Sequence, residues 1–325
     1  MSKINYDNSN KNRFVIEDIK NANIRPINKH YSYSFISSWN NCPAKTGFSL
    51  VKSIRSDSPA LIVGNAVHKQ LEADYSGEDI DAFAKLSEDN KKRALQYIES
   101  YNNIESYSDS PDSNIIFYTE QSLTEELSPL GVTLPKPLRG IIDRIDIDKS
   151  SLSIIDYKTS MNNATRDSAF LDQVTIYKWL VEESFGIGVD NCYIALIAPN
   201  ESKYIKYEPT LSSQSKLIDK IFTVDESVND ALENGEFNKI RGDHCRMCEY
   251  KDYCFGCLDL FKEIENKEGI KKDINSTLSK IKQNSNAGQN QKSSVSENTS
   301  KSNHSTKTQT QNNKPYYLYG YNPFL

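Results

Sequence analysis

The stretch GIIDRIDIDKSSLSIIDYKTS, residues 140–160, decides the fold of this chain. Two runs rich in isoleucine, residues 140–147 and 152–157, predict two strands, and the polar residues 148–151 between them predict a hairpin turn. A turn centred on residues 149 and 150 places Asp143 opposite Asp156. Side chains that face each other across two strands have Cβ atoms about 5 Å apart.

The hairpin therefore predicts a cation site. Two carboxylates at this separation repel each other unless a cation or a shared proton lies between them. A Mg²⁺ ion held by two carboxylates, with water and phosphate oxygens as its other ligands, fits this arrangement. Asp156 and Lys158 lie on one face of their strand, so Lys158 can stabilise phosphate charge or orient a water molecule. The alternative is a pair of solvated aspartates with no ligand.

Composition narrows the class of protein. The chain has 325 residues, enough for one large or two modest domains, and 37% of them are hydrophobic. The net charge of −5 argues neither for nor against binding of nucleic acid. No run of 18 apolar residues and no apolar N-terminal segment is present, so we expect neither a membrane span nor a secretory signal. We therefore expect a cytoplasmic protein, where disulfides are rare and six cysteines indicate metal ligation.

Four regions follow from the distribution of polar residues. Residues 1–28 are rich in Asn, Lys and Asp and predict a disordered arm, and residues 29–281 contain the periodic apolar patterns of a folded domain. The polar residues 282–314 predict a disordered linker. The aromatic segment 315–325, PYYLYGYNPFL, then either docks on a partner such as a replication or recombination protein or folds back on the domain.

Apolar periodicity also predicts the elements around the hairpin. We expect strands at residues 115–123, 190–198 and 203–207, and helices at 34–42, from 61 onwards, 82–107, 169–184 and 212–234. Pro43 is expected to end the first helix, and Gly235 suits the end of the last.

Several motifs lie in a recognisable order. Asp143 followed, after a turn, by Asp156-Tyr157-Lys158 resembles the PD-(D/E)xK nuclease signature, and the form GIIDRID…IIDYKTS is similar to the RecB branch of that superfamily. The pattern Gly64-x-x-x-His68 resembles the first RecB-type motif. On the helix after the hairpin, Gln173-x-x-x-Tyr177 resembles the motif that follows D-x-K.

The resemblance implies an α/β restriction-endonuclease-like fold, a mixed sheet flanked by helices. It implies metal-dependent hydrolysis of DNA, with Mg²⁺ or Mn²⁺ held by His68, Asp143, Asp156 and the Tyr157 carbonyl. Lys158 would stabilise the pentavalent phosphate, and Gln173 and Tyr177 would hold the DNA backbone or position Lys158. Glu120 is a further candidate for the acidic environment.

The implied activity is an exonuclease that acts on single-stranded DNA or DNA ends in recombination, repair or DNA processing. Two alternatives stay open. One is a catalytically silent DNA-binding or scaffold module, and the other is a structure-specific endonuclease.

The cysteines form a second pattern, Cys245-x₂-Cys248-x₅-Cys254. Three sulfurs need a fourth ligand, and Cys257 or His244 could complete a local zinc site. Together with the distant Cys42-Pro43, the pattern resembles the iron–sulfur arrangement of AddB-type and CRISPR-adaptation nucleases. That resemblance implies a [4Fe–4S] cluster on Cys42, Cys245, Cys248 and Cys254, which joins the N- and C-terminal parts of the domain. Zinc, or reduced cysteines without metal, are the alternatives.

Overall fold

The computed structural model describes residues 6–9, 12–20, 29–51, 59–104, 116–148, 151–159 and 167–254. The predicted linker 282–314, the aromatic segment 315–325 and Cys257 lie outside the described residues. Within the described ranges, no helix is both long and apolar enough to cross a membrane.

Helices and strands alternate along the described chain. The helices are α1 Tyr33–Asn41, α2 Pro43–Val51, α3 Pro59–Ser76, α4 Glu88–Asn102, α5 Asp167–Phe185 and α6 Leu211–Asn234. The strands are β1 Tyr6–Asp7, β2 Arg13–Ile16, β3 Tyr31–Ser32, β4 Ile116–Glu125, β5 Leu138–Ile147, β6 Leu152–Lys158, β7 Asn191–Leu196, β8 Lys203–Tyr207 and β9 Glu236–Asn238.

A mixed sheet of six strands forms the centre of the domain, with helices on both faces, which confirms the predicted α/β class. The strand order is β3-β5-β6-β7-β8, and β4 also pairs with β5. The β6–β7 and β3–β5 pairs are parallel, and the others are antiparallel. Because β4 pairs with β5 from end to end, β6 and β3 share the other edge of β5.

Each face of the sheet has its own core. On one face, residues such as Ile154 and Ile194 pack with α1, α2, α5 and α6. On the other, Ile155 and Tyr157 pack with the apolar residues of α3 and α4. Because successive strand residues point to opposite faces, the continuous apolar run of β6 fills both cores.

Part of the predicted N-terminal arm is folded, so that prediction was wrong for residues 12–20. Strand β2 pairs with β9, and Phe14 is fully buried, with its ring centroid 4.3 Å from that of Phe48 and 6.4 Å from that of Phe237. The strand has only four residues among polar neighbours, so its apolar alternation was too short to recognise.

Three predicted helix boundaries also differ. Helix α1 is capped by Ser32, whose side chain accepts from the Phe35 N–H, and Pro43 begins α2 rather than only ending α1. Proline suits the first turn of a helix, where its missing N–H has no intrahelical acceptor. Helix α4 starts after the cap Ser87, well inside the predicted range. The C-terminal end of α6 at Gly235 is confirmed, with φ of 74°.

Candidate active site

The candidate site lies where β5 and β6 separate. Their pairing has the predicted register, from Ile147 opposite Leu152 to Arg144 opposite Ile155, and stops there. The next position on each strand is Asp143 and Asp156. Instead of a backbone carbonyl, Oδ2 of Asp143 accepts a hydrogen bond from the Tyr157 N–H, at 2.7 Å. The carboxylate therefore fills the gap between the two strands.

Helix α3 brings His68 to the second oxygen of Asp143. The distance from His68 Nδ1 to Asp143 Oδ1 is 3.4 Å. One turn earlier, a Cβ on Gly64 would lie only 2.8 Å from Oγ1 of Thr159. Glycine at this position lets α3 approach the end of β6 closely. Gly64 therefore allows close packing of α3, and His68, one turn later on the same helix, lies beside Asp143.

Asp156 is held from the other side by Lys158 and α5. Its Oδ2 forms an ion pair with Lys158 Nζ, and Gln173 Nε2 donates to its Oδ1 at 2.8 Å. The same Gln173 nitrogen donates to the Tyr177 hydroxyl at 2.9 Å. The sequence predicted that these groups hold DNA or position Lys158. In the structure, Gln173 orients the Asp156 carboxylate that pairs with Lys158, and the contact of Gln173 and Tyr177 with DNA stays a prediction.

A second glycine sets the position of α5. A Cβ on Gly140 would lie 2.8 Å from Leu180 Cδ1 and 2.9 Å from Tyr177 Cε1. The side-chain-free surface of β5 at this point lets α5 lie close to the sheet. Gln173, one turn before Tyr177, is thereby brought within reach of Asp156.

Burial and mutual repulsion perturb the acidic groups. The net effect raises the pKa of Asp156 to about 6: burial raises it most, the charge of Lys158 opposes burial, and the charge of Asp143 adds to it. Burial alone would lower the pKa of His68, but the hydrogen bond and charge of Asp143 outweigh it, so the net shift is upward. Burial, and next the charge of Asp156, raise the pKa of Tyr177, which stays a neutral phenol.

Two further carboxylates, Glu120 and Glu72, add negative charge near Asp143. Glu120 on β4 has a φ of 50°, a left-handed conformation that is rare for a residue with a side chain. Burial, and then the charges of Asp143 and Glu72, raise the pKa of Glu120. The sequence had named Glu120 as a candidate. It had missed Glu72, although its spacing of four residues from His68 places both on one helix face.

Oxygen ligands and one imidazole suit a hard divalent cation such as Mg²⁺ or Mn²⁺. Oδ2 of Asp156 is buried and has no hydrogen-bond donor in suitable geometry among the described residues, so its contact with Lys158 is an ion pair. In the described part of the chain, no three His, Cys, Asp or Glu side chains are already arranged to hold a metal ion. The charge of Lys158 instead balances that of Asp156.

The four predicted cluster ligands line one cavity of about 1060 Å³, which also reaches Lys158 and Gln173. Burial raises the pKa of Cys42, and charge on Cys254 contributes; burial also raises the pKa of Cys248, with contributions from Cys42 and Cys245. The thiols are therefore close enough to influence one another. His244 lines the same cavity.

Contacts without metal also hold the cysteine segment to the domain. The rings of Phe48 and Tyr250 stack with centroids 5.4 Å apart. Lys45 Nζ lies 3.9 Å from a Glu249 oxygen. Residues 245–254 thus pack against α2, next to the end of α1 that carries Cys42.

The chain is similar to known proteins of one nuclease superfamily. A family model described as the PD-(D/E)XK nuclease superfamily matches residues 30–255, more than half of the chain. Among solved structures, a predicted exonuclease from Eubacterium rectale is 15% identical, with a TM-score of 0.48 over 67% of this chain and 88% of its own. The protein SSO0001 is 15% identical, with a TM-score of 0.42 over 72% of this chain and 90% of its own. No curated protein matches.

Proposed function

The chain belongs to the PD-(D/E)XK nuclease superfamily, and we propose that it is a metal-dependent DNA nuclease. We propose exonuclease action on single-stranded DNA or DNA ends in recombination, repair or DNA processing. The observation that carries the proposal is the placement of Asp143 and Asp156 where β5 and β6 separate, with Lys158 paired to Asp156.

The residues present fit a divalent cation. Asp143, Asp156, His68 and the carbonyl of Tyr157 are the groups that would hold Mg²⁺ or Mn²⁺. When bound, such an ion supplies Lewis-acid chemistry, which activates water and stabilises the charge that develops on the phosphate. Burial, and to a smaller extent the charge of Asp143, raises the pKa of Asp156, and the positive charge of a cation would offset both effects.

The chain's own residues orient this group. Gln173 holds one oxygen of Asp156 and is itself held by Tyr177, so the carboxylate has a fixed rotamer. His68 and the Tyr157 N–H restrain the two oxygens of Asp143. The Lys158 side chain is 25% exposed, so its ammonium can meet a phosphate from the cavity side while Asp156 anchors it.

We also propose a [4Fe–4S] cluster on Cys42, Cys245, Cys248 and Cys254, with a structural role. Its support is that these thiols line one cavity although about 200 residues separate the first from the rest. Thiolate sulfurs bind both iron–sulfur clusters and zinc, so absorbance near 400 nm distinguishes the two.

Two proposals rest on the sequence alone. The aromatic segment 315–325 would dock on a replication or recombination protein, and the protein would act in the cytoplasm. Pull-down of such partners by the full chain, compared with a chain that ends at residue 314, tests the first.

The function is tested with end-labelled single-stranded DNA, duplex DNA and circular single-stranded DNA, each with Mn²⁺ or with EDTA. We expect cleavage of the linear substrates with Mn²⁺, none with EDTA, and intact circles. Cleaved circles would indicate an endonuclease. DNA binding without any cleavage would favour the silent module and would contradict the proposal.

A further inference from the structure

Arg144 and Asp146 form a buried ion pair behind the candidate site. Each side chain is 4% exposed, and Arg144 Nε donates to Asp146 Oδ1 at 2.6 Å. A second guanidinium nitrogen contacts the other carboxylate oxygen. Replacing a buried ion pair by apolar residues of similar volume is often neutral for stability. Stability alone therefore does not explain why two charges are buried here.

Aromatic side chains fix the guanidinium on the α3/α4 face of the sheet. Arg144 Cζ lies 4.0 Å from the ring centroid of Tyr75 on α3 and 5.1 Å from that of Phe117 on β4. Arg144 Nη1 donates to the hydroxyl of Tyr101 on α4 at 3.0 Å. The Tyr101 hydroxyl is also hydrogen-bonded to that of Tyr75, at 3.0 Å. Arg144 is thus tied to both helices.

The alternation of β5 changes phase beside Arg144. Gly140 faces α5, and Ile142 and Ile145 both belong to the core on the α5 side. Strict alternation would put Ile142 and Arg144 on one face, but Arg144 faces α3 and α4. The side chains of β5 therefore change faces between Ile142 and Arg144 although both residues keep one register against β4. Asp143 stands at this phase change.

The partner strand adapts at the same position. Residues 119 and 121 of β4 pair with 144 and 142 of β5, and Glu120, opposite Asp143, has the left-handed φ of 50°. Both strands thus change phase together. Phe117, which lies against Arg144, is in the half of β4 that pairs with residues 144–147 of β5.

We infer that Arg144 and Asp146 are positioning residues that hold this phase change and thereby direct Asp143 into the gap between β5 and β6. With regular alternation, Arg144 would move to the α5 face and the Asp143 carboxylate would turn away from the Tyr157 N–H, because a slip of one residue reverses every side chain. The inference rests on the proposed function only for its kinetic consequence.

The contacts of Arg144 also support Tyr157, the donor of the hydrogen bond to Asp143. The ring of Tyr101 meets the ring of Tyr157 edge to face, with centroids 5.7 Å apart at 83°. The His68 ring also meets the Tyr157 ring edge to face, with centroids 5.8 Å apart at 87°. Arg144, through Tyr101, therefore restrains Tyr157 as well as Asp143.

The direct test is amide hydrogen exchange at Tyr157 in metal-free protein, measured by NMR. The variant carries Arg144→Met with Asp146→Leu, which leaves no unpaired buried charge. The matched control carries Lys178→Met with Glu182→Leu, an ion pair of 2.6 Å on α5. We expect exchange at Tyr157 to accelerate at least about tenfold in the first variant and not in the control. The amide of Ile194 reports global opening.

The kinetic consequence is a lower kcat for Mn²⁺-dependent cleavage, by about 10- to 100-fold, with KM for DNA unchanged. Arg144→Lys keeps a charge but not the bidentate geometry, so its exchange and kcat should lie between wild type and the double variant. It also serves as the test if the double variant does not fold. Wild-type exchange at Tyr157 in a folded variant would overturn the inference. A wild-type protein that cuts no DNA would contradict the proposed function but leave the exchange test in force.

Discussion

Asp143 accepts a hydrogen bond from the backbone N–H of Tyr157 at the point where β5 and β6 part. A side chain here replaces the strand partner that the N–H would otherwise have. One carboxylate oxygen thus satisfies a buried backbone donor, while the other faces His68. Mutation can therefore separate two roles of Asp143, as acceptor for the Tyr157 N–H and as a charged group beside His68.

Asp143→Asn and Asp143→Ala should differ in stability but not in activity. An Asn oxygen can still accept from Tyr157, whereas Ala leaves a buried N–H unsatisfied, which costs about 1–3 kcal/mol. We expect both variants to lose cleavage. We expect the unfolding free energy of Asp143→Ala, measured by urea denaturation in EDTA, to be lower than that of Asp143→Asn by this amount. Wild-type cleavage by the Asn variant would contradict the role of the charge.

Asp156→Asn should stabilise the metal-free protein at high pH. The pKa of Asp156 is raised to about 6 in the fold, so the carboxyl contributes stability below its unfolded pKa and loses that contribution as the pH rises through about 6. A shift of this size corresponds to about 3 kcal/mol at most. We expect a higher Tm for Asp156→Asn than for wild type at pH 8, and a much smaller difference at pH 4.5.

The comparison is made in EDTA, with Asp219→Asn on the exposed surface of α6 as the control. Equal Tm differences at the two pH values would show that burial of the Asp156 charge is not the cause. Activity should disappear in Asp156→Asn although its stability rises, a trade-off typical of functional sites.

Gly64→Ala should move α3 away from β6. The new Cβ would lie 2.8 Å from Thr159 Oγ1, too close for a real contact, so the helix or the threonine must shift. Overpacking of this kind costs about 1–3 kcal/mol, and it should also lower the cleavage rate because His68 moves with α3. Thermal melting and cleavage kinetics measure both effects.

Gly188→Ala is the matched control. The nearest atom to its added Cβ is Glu182 Oε1, at 4.0 Å, which is ordinary contact. The substitution should leave Tm and rate near the wild-type values. If Gly64→Ala behaves like Gly188→Ala, close approach of α3 is not what the glycine provides.

Cys245→Ser should abolish absorbance near 400 nm in protein purified without oxygen and should lower Tm. The proposed cluster joins Cys42 to residues 245–254, so its loss reopens a loop of some 200 residues. Cys192→Ala, in the core of β7, should keep the absorbance. A Cys245→Ser protein that stays as stable and as active as wild type after metal loss would rule out a stabilising cluster.

Much of this site was predictable because its determinants are local. The register of the hairpin follows from a short turn between two isoleucine-rich strands, and the pairing of Asp156 with Lys158 follows from the two-residue period of a strand. The position of Gln173 four residues before Tyr177 likewise fixes their contact on one helix face.

What the sequence did not predict depends on long-range packing. The phase change at Asp143 arises from contacts of Arg144 with α3 and α4, and the left-handed Glu120 follows from the pairing of β4 with that irregular strand. The cavity shared by the thiols and Lys158 depends on how α1 and α5 are placed around the sheet. None of these has a periodic signal in the sequence.

The central claim is that Asp143 and Asp156 together hold a divalent cation. Isothermal titration of Mn²⁺ into EDTA-stripped wild type, Asp143→Ala, Asp156→Ala and Asp219→Ala tests it most directly. We predict binding to wild type and Asp219→Ala, and a loss of at least about tenfold in affinity in each of the other two, since each would lack one carboxylate ligand. Unchanged Mn²⁺ affinity in folded Asp143→Ala or Asp156→Ala protein would contradict the account.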